Sequence, residues 1–407
     1  MKKIAIFALF VLVLVLGTGS ALGVNDKQTD TKRIVIGLAS PNAKADVLQA
    51  VQSNGGIFVR EMLDGALIFN IPDAALGKLK SHPQILENAD YLEEDIKITI
   101  SDPKIGEVTG IDGIQLTPDD PLYPQQWGMP MIGANKAWDI LVGDPQMIVA
   151  VIDTGVYYNH EDLAAVNEAL GYDFVNDDSD ANDDNGHGTH VAGIIAATMN
   201  NGKGVAGVAP GITVMPVKVL DSRGSGWVTD IADGIIWAAD HGAKILSMSL
   251  GAPTSDRWTS DATKYAVYTR GALVIASSGN SGKEAPNYPA AYSWVLSVGA
   301  LDSAGRRASY SQYGSWLDLM APGSSVISTV PTGVCELCDP SGYEYLSGTS
   351  MAAPHASGVA ALYWSYKPGA TNKQIASMLI NNADDLGTPG WDKYYGHGRV
   401  DAYPMDG

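Results

Sequence analysis

Beyond the first thirty residues, the apolar positions fall into two regimes. Over residues 32–101 short apolar stretches alternate with amphipathic ones. KRIVIGLA has the composition of a strand. NAKADVLQAVQSNGG has a helical period and ends in glycines, which stop helices well. IFVREM and GALIFNI follow as two short strands, PDAALGKLKSHP as a second helix, and NADYLEEDIKITIS as a last strand. The order β-α-β-β-α-β predicts a small α+β ferredoxin-like unit. SDPKIGEVTGIDGIQLTPDDP keeps no period and reads as an exposed, cleavable linker. From about Leu122 the runs become continuously apolar: QMIVAVID, ITVMPVKVL, KILSMSL, ALVIASSG and SWVLSVGAL. Such runs suit parallel strands buried on both faces. The helical segments HVAGIIAATMN, WVTDIADGIIWAADHG and SDATKYAVYTRG lie between them. That alternation predicts an α/β domain with a doubly wound, mostly parallel sheet.

The N-terminus adds a further segment. Lys2 and Lys3 precede thirteen apolar residues, Ile4 to Leu16, followed by small residues to Gly23. A spanning helix needs about 20 apolar residues, so 1–23 reads as a secretory signal peptide rather than an anchor. The division is then 1–23 signal, 24–115 a small unit with its linker (folded over 32–101), and 116–407 main domain. With 26 basic against 45 acidic residues the net charge is −19. That argues against a nucleic-acid partner, which needs a basic face. Two cysteines, Cys335 and Cys338, are too few to staple a chain of 407 residues. Outside the cell they suit a small-loop disulfide, with free thiols or a metal clip as alternatives.

In doubly wound sheets ligands bind at the carboxyl ends of the strands. Asp153 ends QMIVAVID there, and a buried carboxylate needs a partner. His187 opens the helix of NGHGTHVAG and is the natural one. Ser350 begins the small-residue helix of YLSGTSMAAPHASGVAALYW, with Pro354 expected in its first turn. Asp, His and Ser in this order match one arrangement of a nucleophilic triad. Asn280 in ASSGNSG and the Ser350 backbone N–H are candidate donors to an oxyanion. An HxxH pair also has zinc-like spacing, but the Glu of HExxH is missing. Asn280 and Ser350 alone could be turn or helix caps; the ordered context favours catalysis.

VIDTGV (151–156), NGHGTHVAG (185–193), SSGNSG (277–282) and LSGTSMAAPHASG (346–358) resemble the subtilisin-like serine proteases. DDPLY, APNYPA and Trp138–Asp139 look closest to the thermitase branch, and residues 32–101, notably YLEED, resemble the family's inhibitory propeptide. The resemblance implies a secreted, monomeric serine endopeptidase acting on protein or peptide substrates, with no membrane partner after signal removal. It would be made as a zymogen inhibited by its own propeptide. Asp153, His187 and Ser350 match the triad and Asn280 the oxyanion asparagine. Ser249, Leu250 and Gly251 match one wall of the substrate groove and Ser277, Ser278 and Gly279 the other. Gly224, Ser225 and Gly226 match a second edge, and Leu220, Ile231 and Leu250 an apolar subsite. Asn287 stands at the pocket floor, where the family often has a smaller residue. His160, His190 and His355 read as structural, and His241, at the end of a helix, as a surface residue favoured by the helix dipole.

GYDFVNDDSDANDDNG carries six Asp and no Lys or Arg. It is either a solvated acidic turn or a site for Ca2+, whose hard oxygen ligands it supplies. It is no EF-hand: counting from Asp178, position six is Asp183 and position twelve Thr189. The resemblance points to Asp173, Asp178, Asp180 and Asn182, with Asn176 near. For a second structural calcium it points to Asp120, Asp162 and Asn201, with the carbonyls of Met199, Lys203 and Val205.

Overall fold

A computed structural model describes residues 31–100 and 117–403. The segment 1–23 expected to be a signal peptide, and residues 101–116 of the expected linker, lie outside them. The first unit holds β1 (Thr31–Leu38), α1 (Lys44–Ser53), β2 (Ile57–Glu61), β3 (Leu67–Pro72), α2 (Asp73–Lys80), α3 (Pro83–Asn88) and β4 (Ala89–Glu94). Its four strands pair in the order β2-β3-β1-β4, each pair antiparallel. Ile34, Ile36, Leu67, Phe69 and Ile71 face α1 and α2 to make a core of its own.

Sequence periodicity predicts one terminal strand in this unit, and the structure divides it. β4 stays in the four-stranded sheet. β5 (Lys97–Thr99) leaves it and pairs antiparallel with β9 (Ser225–Trp227) of the main domain. The extra helix α3 also escapes the sequence pattern.

The main domain opens with two short helices, α4 (Gly128–Met131) and α5 (Ala134–Ala137). Then follow β6 (Ile148–Asp153), β7 (Tyr172–Asp173), α6 (His187–Ala196), β8 (Thr213–Lys218), β9, α7 (Val228–Asp240), β10 (Ile245–Met248), α8 (Arg257–Lys264), β11 (Leu273–Ser277), β12 (Leu296–Leu301) and β13 (Leu319–Pro322). The hairpin β14 (Val326–Thr329) and β15 (Tyr343–Leu346) precedes α9 (Thr349–Tyr366) and α10 (Asn372–Asn381). Seven strands form one parallel sheet in the order β13-β12-β11-β10-β6-β8-β7. β10, β11 and β12 are buried at every position, as expected of apolar runs covered on both faces. α6 and α9 pack on one face, α7 and α8 on the other. The chain adds strands on one side of β6 and then crosses to the other, so the C-terminal end of β6 is the topological switch point.

α6 is buried on every side, so it reads as apolar all round rather than as a stripe. Its glycines permit that depth. A Cβ on Gly188 would sit 2.1 Å from the Gly155 carbonyl oxygen.

Pro354 lies in the second turn of α9, not the first, because the helix begins at Thr349. Its missing N–H would have bonded the Ser350 carbonyl. That carbonyl instead accepts from Ser249 Oγ at 2.8 Å. The proline thus frees the backbone behind Ser350 for a bond to the neighbouring wall. The expected exposed linker also ends sooner than its composition suggests, since Pro118 and Asp120 are already buried.

Candidate active site

Asp153 is the last residue of β6 and is fully buried. Its Oδ1 accepts from Thr154 N at 2.7 Å and from His187 Nδ1–H at 2.7 Å. The second bond sets the tautomer: with Nδ1 donating, Nε2 of neutral His187 is the acceptor. His187 is the first residue of α6, and Gly188 N donates to Thr154 Oγ1 at 2.9 Å. Sheet and helix are thereby pinned together at the carboxylate–imidazole pair.

Asp183 builds the turn that aims His187. Its Oδ1 accepts from Asn185 N and Gly186 N, and its Oδ2 from Thr189 N and Oγ1, all within 3.0 Å. Gly186 takes a φ of 110°, which a residue with a Cβ rarely adopts. Burial pushes the Asp183 carboxyl up from its ordinary value. Sequence reasoning missed this residue because it sits in an acidic run whose members look alike. Lys218 was missed too. Its fully buried ammonium lies under the same turn, bonded to the Thr154 carbonyl (2.8 Å), the Leu220 carbonyl (3.0 Å) and Asp184 Oδ1 (2.5 Å). A lone lysine inside VMPVKVL was the available signal.

Ser350 occupies the first turn of α9, where its N–H has no intrahelical acceptor. Its Oγ donates to the Ser249 carbonyl at 3.3 Å. Asn280 lies just past β11, and its Oδ1 accepts both Thr349 N and Thr349 Oγ1 at 2.9 Å. Those two bonds fix the amide so that Nδ2 is its donating end.

Ser350, Asn280, Ser249, Leu250, Gly251, Ser277 and Gly279 share one cavity of about 340 Å³. Asn287 closes it, donating Nδ2 to the Ser277 carbonyl at 3.1 Å and filling the space beside Gly251. Gln312 and Thr349 also line it. Ser278 does not: its hydroxyl turns inward to the Gln312 carbonyl at 3.3 Å.

The other groove edge, Gly224 to Gly226, is occupied by the first unit of the same chain. Lys97, Ile98 and Thr99 face Trp227, Gly226 and Ser225, and Ile100 N donates to the Gly224 carbonyl at 2.8 Å. Ile98 is buried in one cluster with Leu220, Ile231 and Leu250. Thr99 and Ile100 reach the cavity of Ser350. Behind this strand, Asp95 Oδ2 accepts from Thr229 Oγ1 at 2.6 Å at the start of α7. Arg33 bridges Asp95 and Asp230, and Arg60 bridges Asp230 and Asp233. These groups are almost wholly buried. Burial pushes Asp95 and Asp233 up to about 6 against the pull of the arginines.

Three further histidines are buried and bonded to backbone carbonyls, and His241 stays at the surface. His190 Nε2 lies 3.1 Å from the Val326 and Glu344 carbonyls. His160 Nε2 lies 2.8 Å from the Gly342 carbonyl, and His355 Nδ1 donates to the Met351 carbonyl at 2.8 Å. His241 stacks on Trp237 at the end of α7. Cys335 and Cys338 form a disulfide.

Among the described residues no three His, Cys, Asp or Glu side chains converge as a metal cluster. A cation would therefore need amide and carbonyl oxygens. Asp120 accepts from Asn200 N and Asn201 N, and Asp162 from Asn201 Nδ2 and Val205 N. Both carboxylates are buried. Burial, with the nearby Asp120 charge adding to it, pushes Asp162 up to about 6. Lys203 pairs with Glu161 instead. Among the described residues no cationic side chain meets either carboxylate, and such a pair suits a hard cation. In the acidic run Asp173 is buried and holds Val175 N and Asn176 N and Nδ2. Asp178, Asp180 and Asn182 accept from the amides of Asp180, Asn182 and Tyr158.

Residues 144–398 match the Subtilase family, Peptidase_S8. Thermitase of Thermoactinomyces vulgaris is 46% identical over 288 residues, 70% of this chain and 98% of that protein. The M-protease of Shouchella clausii is 37% identical over 374 residues, 91% of this chain and 90% of its own. Among solved structures, fervidolysin from Fervidobacterium pennivorans, a keratinolytic enzyme related to subtilisin, superposes with a TM-score of 0.80 at 30% identity. That alignment covers 95% of this chain, which spans 62% of the length of fervidolysin.

Proposed function

The chain belongs to the subtilase family and is a serine endopeptidase, and from that premise we propose that it cuts proteins through Asp153, His187 and Ser350 and is made as a secreted, self-inhibited zymogen. Ser350 Oγ attacks the scissile carbonyl carbon. His187 Nε2 takes the hydroxyl proton and later delivers it to the leaving amine. Asp153 keeps the imidazole in the productive tautomer and stabilises its charge. The oxyanion is met by Asn280 Nδ2, aimed by Thr349, and by the Ser350 N–H at the positive end of α9. The Pro354–Ser249 arrangement adds a rigid backbone behind the nucleophile.

The observation that carries this reading is the path of residues 97–100. They pair as a strand with the groove edge at Ser225–Trp227 and end at the cavity of Ser350 and Asn280. A peptide strand is therefore accommodated in that groove by β-addition. Because it belongs to a unit with its own core, the same contact supports an inhibitory propeptide released by cleavage within the linker. Residues 1–23 would direct export and be removed.

Calcium is the structural ion of this reading. Asp120, Asp162 and Asn201, with the carbonyls of Met199, Lys203 and Val205, would hold one ion where residues 119–122 meet the loop after α6. Asp173, Asp178, Asp180 and Asn182 would hold another beside the turn of Asp183. When bound it supplies charge compensation and cross-linking, and takes no part in bond breaking.

Ser350→Ala tests the mechanism. Hydrolysis of a chromogenic peptide is expected to fall on the order of a million-fold, a figure carried over from subtilisin and not worked from this structure. The variant is expected to keep residues 24–100 covalently attached, read by N-terminal sequencing. Normal turnover by this variant would exclude the mechanism.

A further inference from the structure

The hairpin β14–β15 has a tip that neither the triad nor the groove explains. Residues 330–342 connect its strands, and Cys335 and Cys338 are bonded across a sequence separation of 3. So small a ring removes little chain entropy from the unfolded state, since that effect grows with loop length. What the loop does instead is grip Asn185. Leu337 N donates to the Asn185 carbonyl at 2.8 Å. Cys335 Sγ lies 3.0 Å from the same oxygen, a contact and not a hydrogen bond, because an oxidised sulfur carries no proton. Glu336 Oε2 is 3.4 Å from Asn185 Nδ2. The Leu337 backbone lies directly over Gly186, where an added Cβ would be 3.1 Å from its carbonyl carbon.

Asn185 is 2% exposed and joins three parts of the site. Its Oδ1 accepts the His187 N–H at 3.2 Å. Its Nδ2 donates to the Ser222 carbonyl at 3.1 Å, in the turn that leads into the groove edge β9. Its own N–H goes to Asp183 at 2.9 Å. The two strands of the hairpin complete the frame. On β14, Ser328 Oγ and Thr329 Oγ1 donate to the His190 and Thr189 carbonyls of α6, each at 2.8 Å. β15 runs through Ser347 and Gly348 straight into α9 and Ser350.

We propose that Asn185 is a positioning residue for His187, and that the oxidised Cys335–Cys338 loop is the clamp that holds it. One hairpin thus sets the histidine and the serine relative to each other. The proposal rests on His187 being the base. Opening the clamp needs a dithiol: the S–S bond takes up two electrons and two protons and becomes two thiols, while the dithiol closes to its own disulfide. With the ring open, the Leu337 amide and Cys335 lose their fixed approach to Asn185. The loss should then fall on alignment, that is on kcat, more than on substrate affinity.

The test uses the full chain after self-processing, with a chromogenic tetrapeptide amide as substrate. Three forms are compared with the oxidised wild type: wild type reduced with dithiothreitol, with two free thiols verified by titration; the Cys335→Ser/Cys338→Ser double variant; and Asn185→Ala. Each is expected to lose tenfold or more in kcat while KM stays within about twofold. Asn185→Ala made in the Cys335→Ser/Cys338→Ser background is expected to add less than twofold, because residues acting through one route are not additive. Asn185→Asp, which keeps an oxygen for the His187 N–H, should recover most of the loss. Reduced and doubly substituted protein with kcat within twofold of wild type would overturn the clamp, as would losses that multiply in the combined variant. Unfolding is excluded by equal far-UV circular dichroism and by the fraction of sites titrated by a fluorophosphonate. A wild type that neither hydrolyses the substrate nor reacts with that reagent would instead sink the serine-peptidase mechanism, so the two failures are distinguishable.

Discussion

Arg60→Met, made in the first unit, probes the buried charges that hold this unit to α7. Arg60 donates to Asp230 and Asp233, and all three side chains are at most 10% exposed. Without the guanidinium, Asp230 keeps Arg33 at 2.7 Å. Among the described residues Asp233 then keeps only the Leu63 N–H, at 3.2 Å. Stranding a buried carboxylate by removing its partner costs about 3–5 kcal/mol. This interface can separate and readmit water, so the lower end applies. At about 1.4 kcal/mol per factor of ten, inhibition by the separated unit should weaken on the order of a hundredfold. Met retains the packing of the arginine stem, so the loss reports charge. The defect also has a pH signature. Burial already raises Asp233 to about 6 with Arg60 present, and removing the cation can only raise it further. A protonated Asp233 no longer needs a partner. The variant's defect must therefore shrink as pH falls from 8 to 5. The assay is the inhibition constant of residues 24–100, wild type or variant, against processed enzyme hydrolysing a chromogenic peptide. Lys44→Ala, which breaks the exposed pair with Glu61, is the control and should change nothing. An Arg60→Met constant within threefold of wild type, or an equal defect at both pH values, would refute the reasoning.

His355 is held neutral by burial, its pKa lowered to about 4. The group protonates at about 6.5 when unfolded, so its contribution is intact above pH 6.5 and is lost as pH falls towards 4, by about 3 kcal/mol. In Ser350→Ala protein, urea unfolding of His355→Gln should lack that share of the acid loss; parallel curves would contradict it. Asp95, Asp162 and Asp233, raised to about 6, act in the opposite sense over the same range, which is why the comparison is with the variant. Gly188→Ala would push a Cβ to 2.1 Å from a backbone oxygen; a loss of about 3 kcal/mol in stability is expected, and a neutral result would mean that α6 is free to move away from β6. Calcium should raise the melting temperature of Ser350→Ala protein over that in EGTA, by up to about 4 kcal/mol of stability at a thousandfold excess over Kd. Equal melting in both, with no calcium in a metal analysis, would remove the ion from the account, and Asp120→Ala against Asp178→Ala would apportion it.

The parallel strands were legible because burial on both faces leaves near-continuous apolar runs, and QMIVAVID, KILSMSL and ALVIASSG are such runs. The placement of Asp153, His187 and Ser350 at the ends of elements was legible because small residues that permit close approach stand beside each. β5 was not. Lys97–Thr99 looks like the tail of β4, and its partner lies more than a hundred residues away in the sequence, a pairing that local pattern does not encode. Position in a run hid Asp183: six neighbouring aspartates share one composition, yet this one is buried with four donors around it. Pro354 sits in the second turn of α9 and not the first, a difference of position that a run of small residues with no sharp helix boundary does not reveal. The hairpin β14–β15 was also missed, since VIST and YEYL are short and separated by a loop of irregular polarity. Its grip on Asn185 depends on that pairing.

The central claim is that Ser350 is an activated nucleophile. Processed protein would be treated with a fluorophosphonate at pH 8, digested and sequenced by mass spectrometry, with Asp153→Asn alongside. The account predicts one adduct, on Ser350, formed in step with loss of hydrolysis and much more slowly in the Asp153→Asn variant. Full inactivation with the adduct on another residue, or hydrolysis that persists after Ser350 is fully modified, would contradict it.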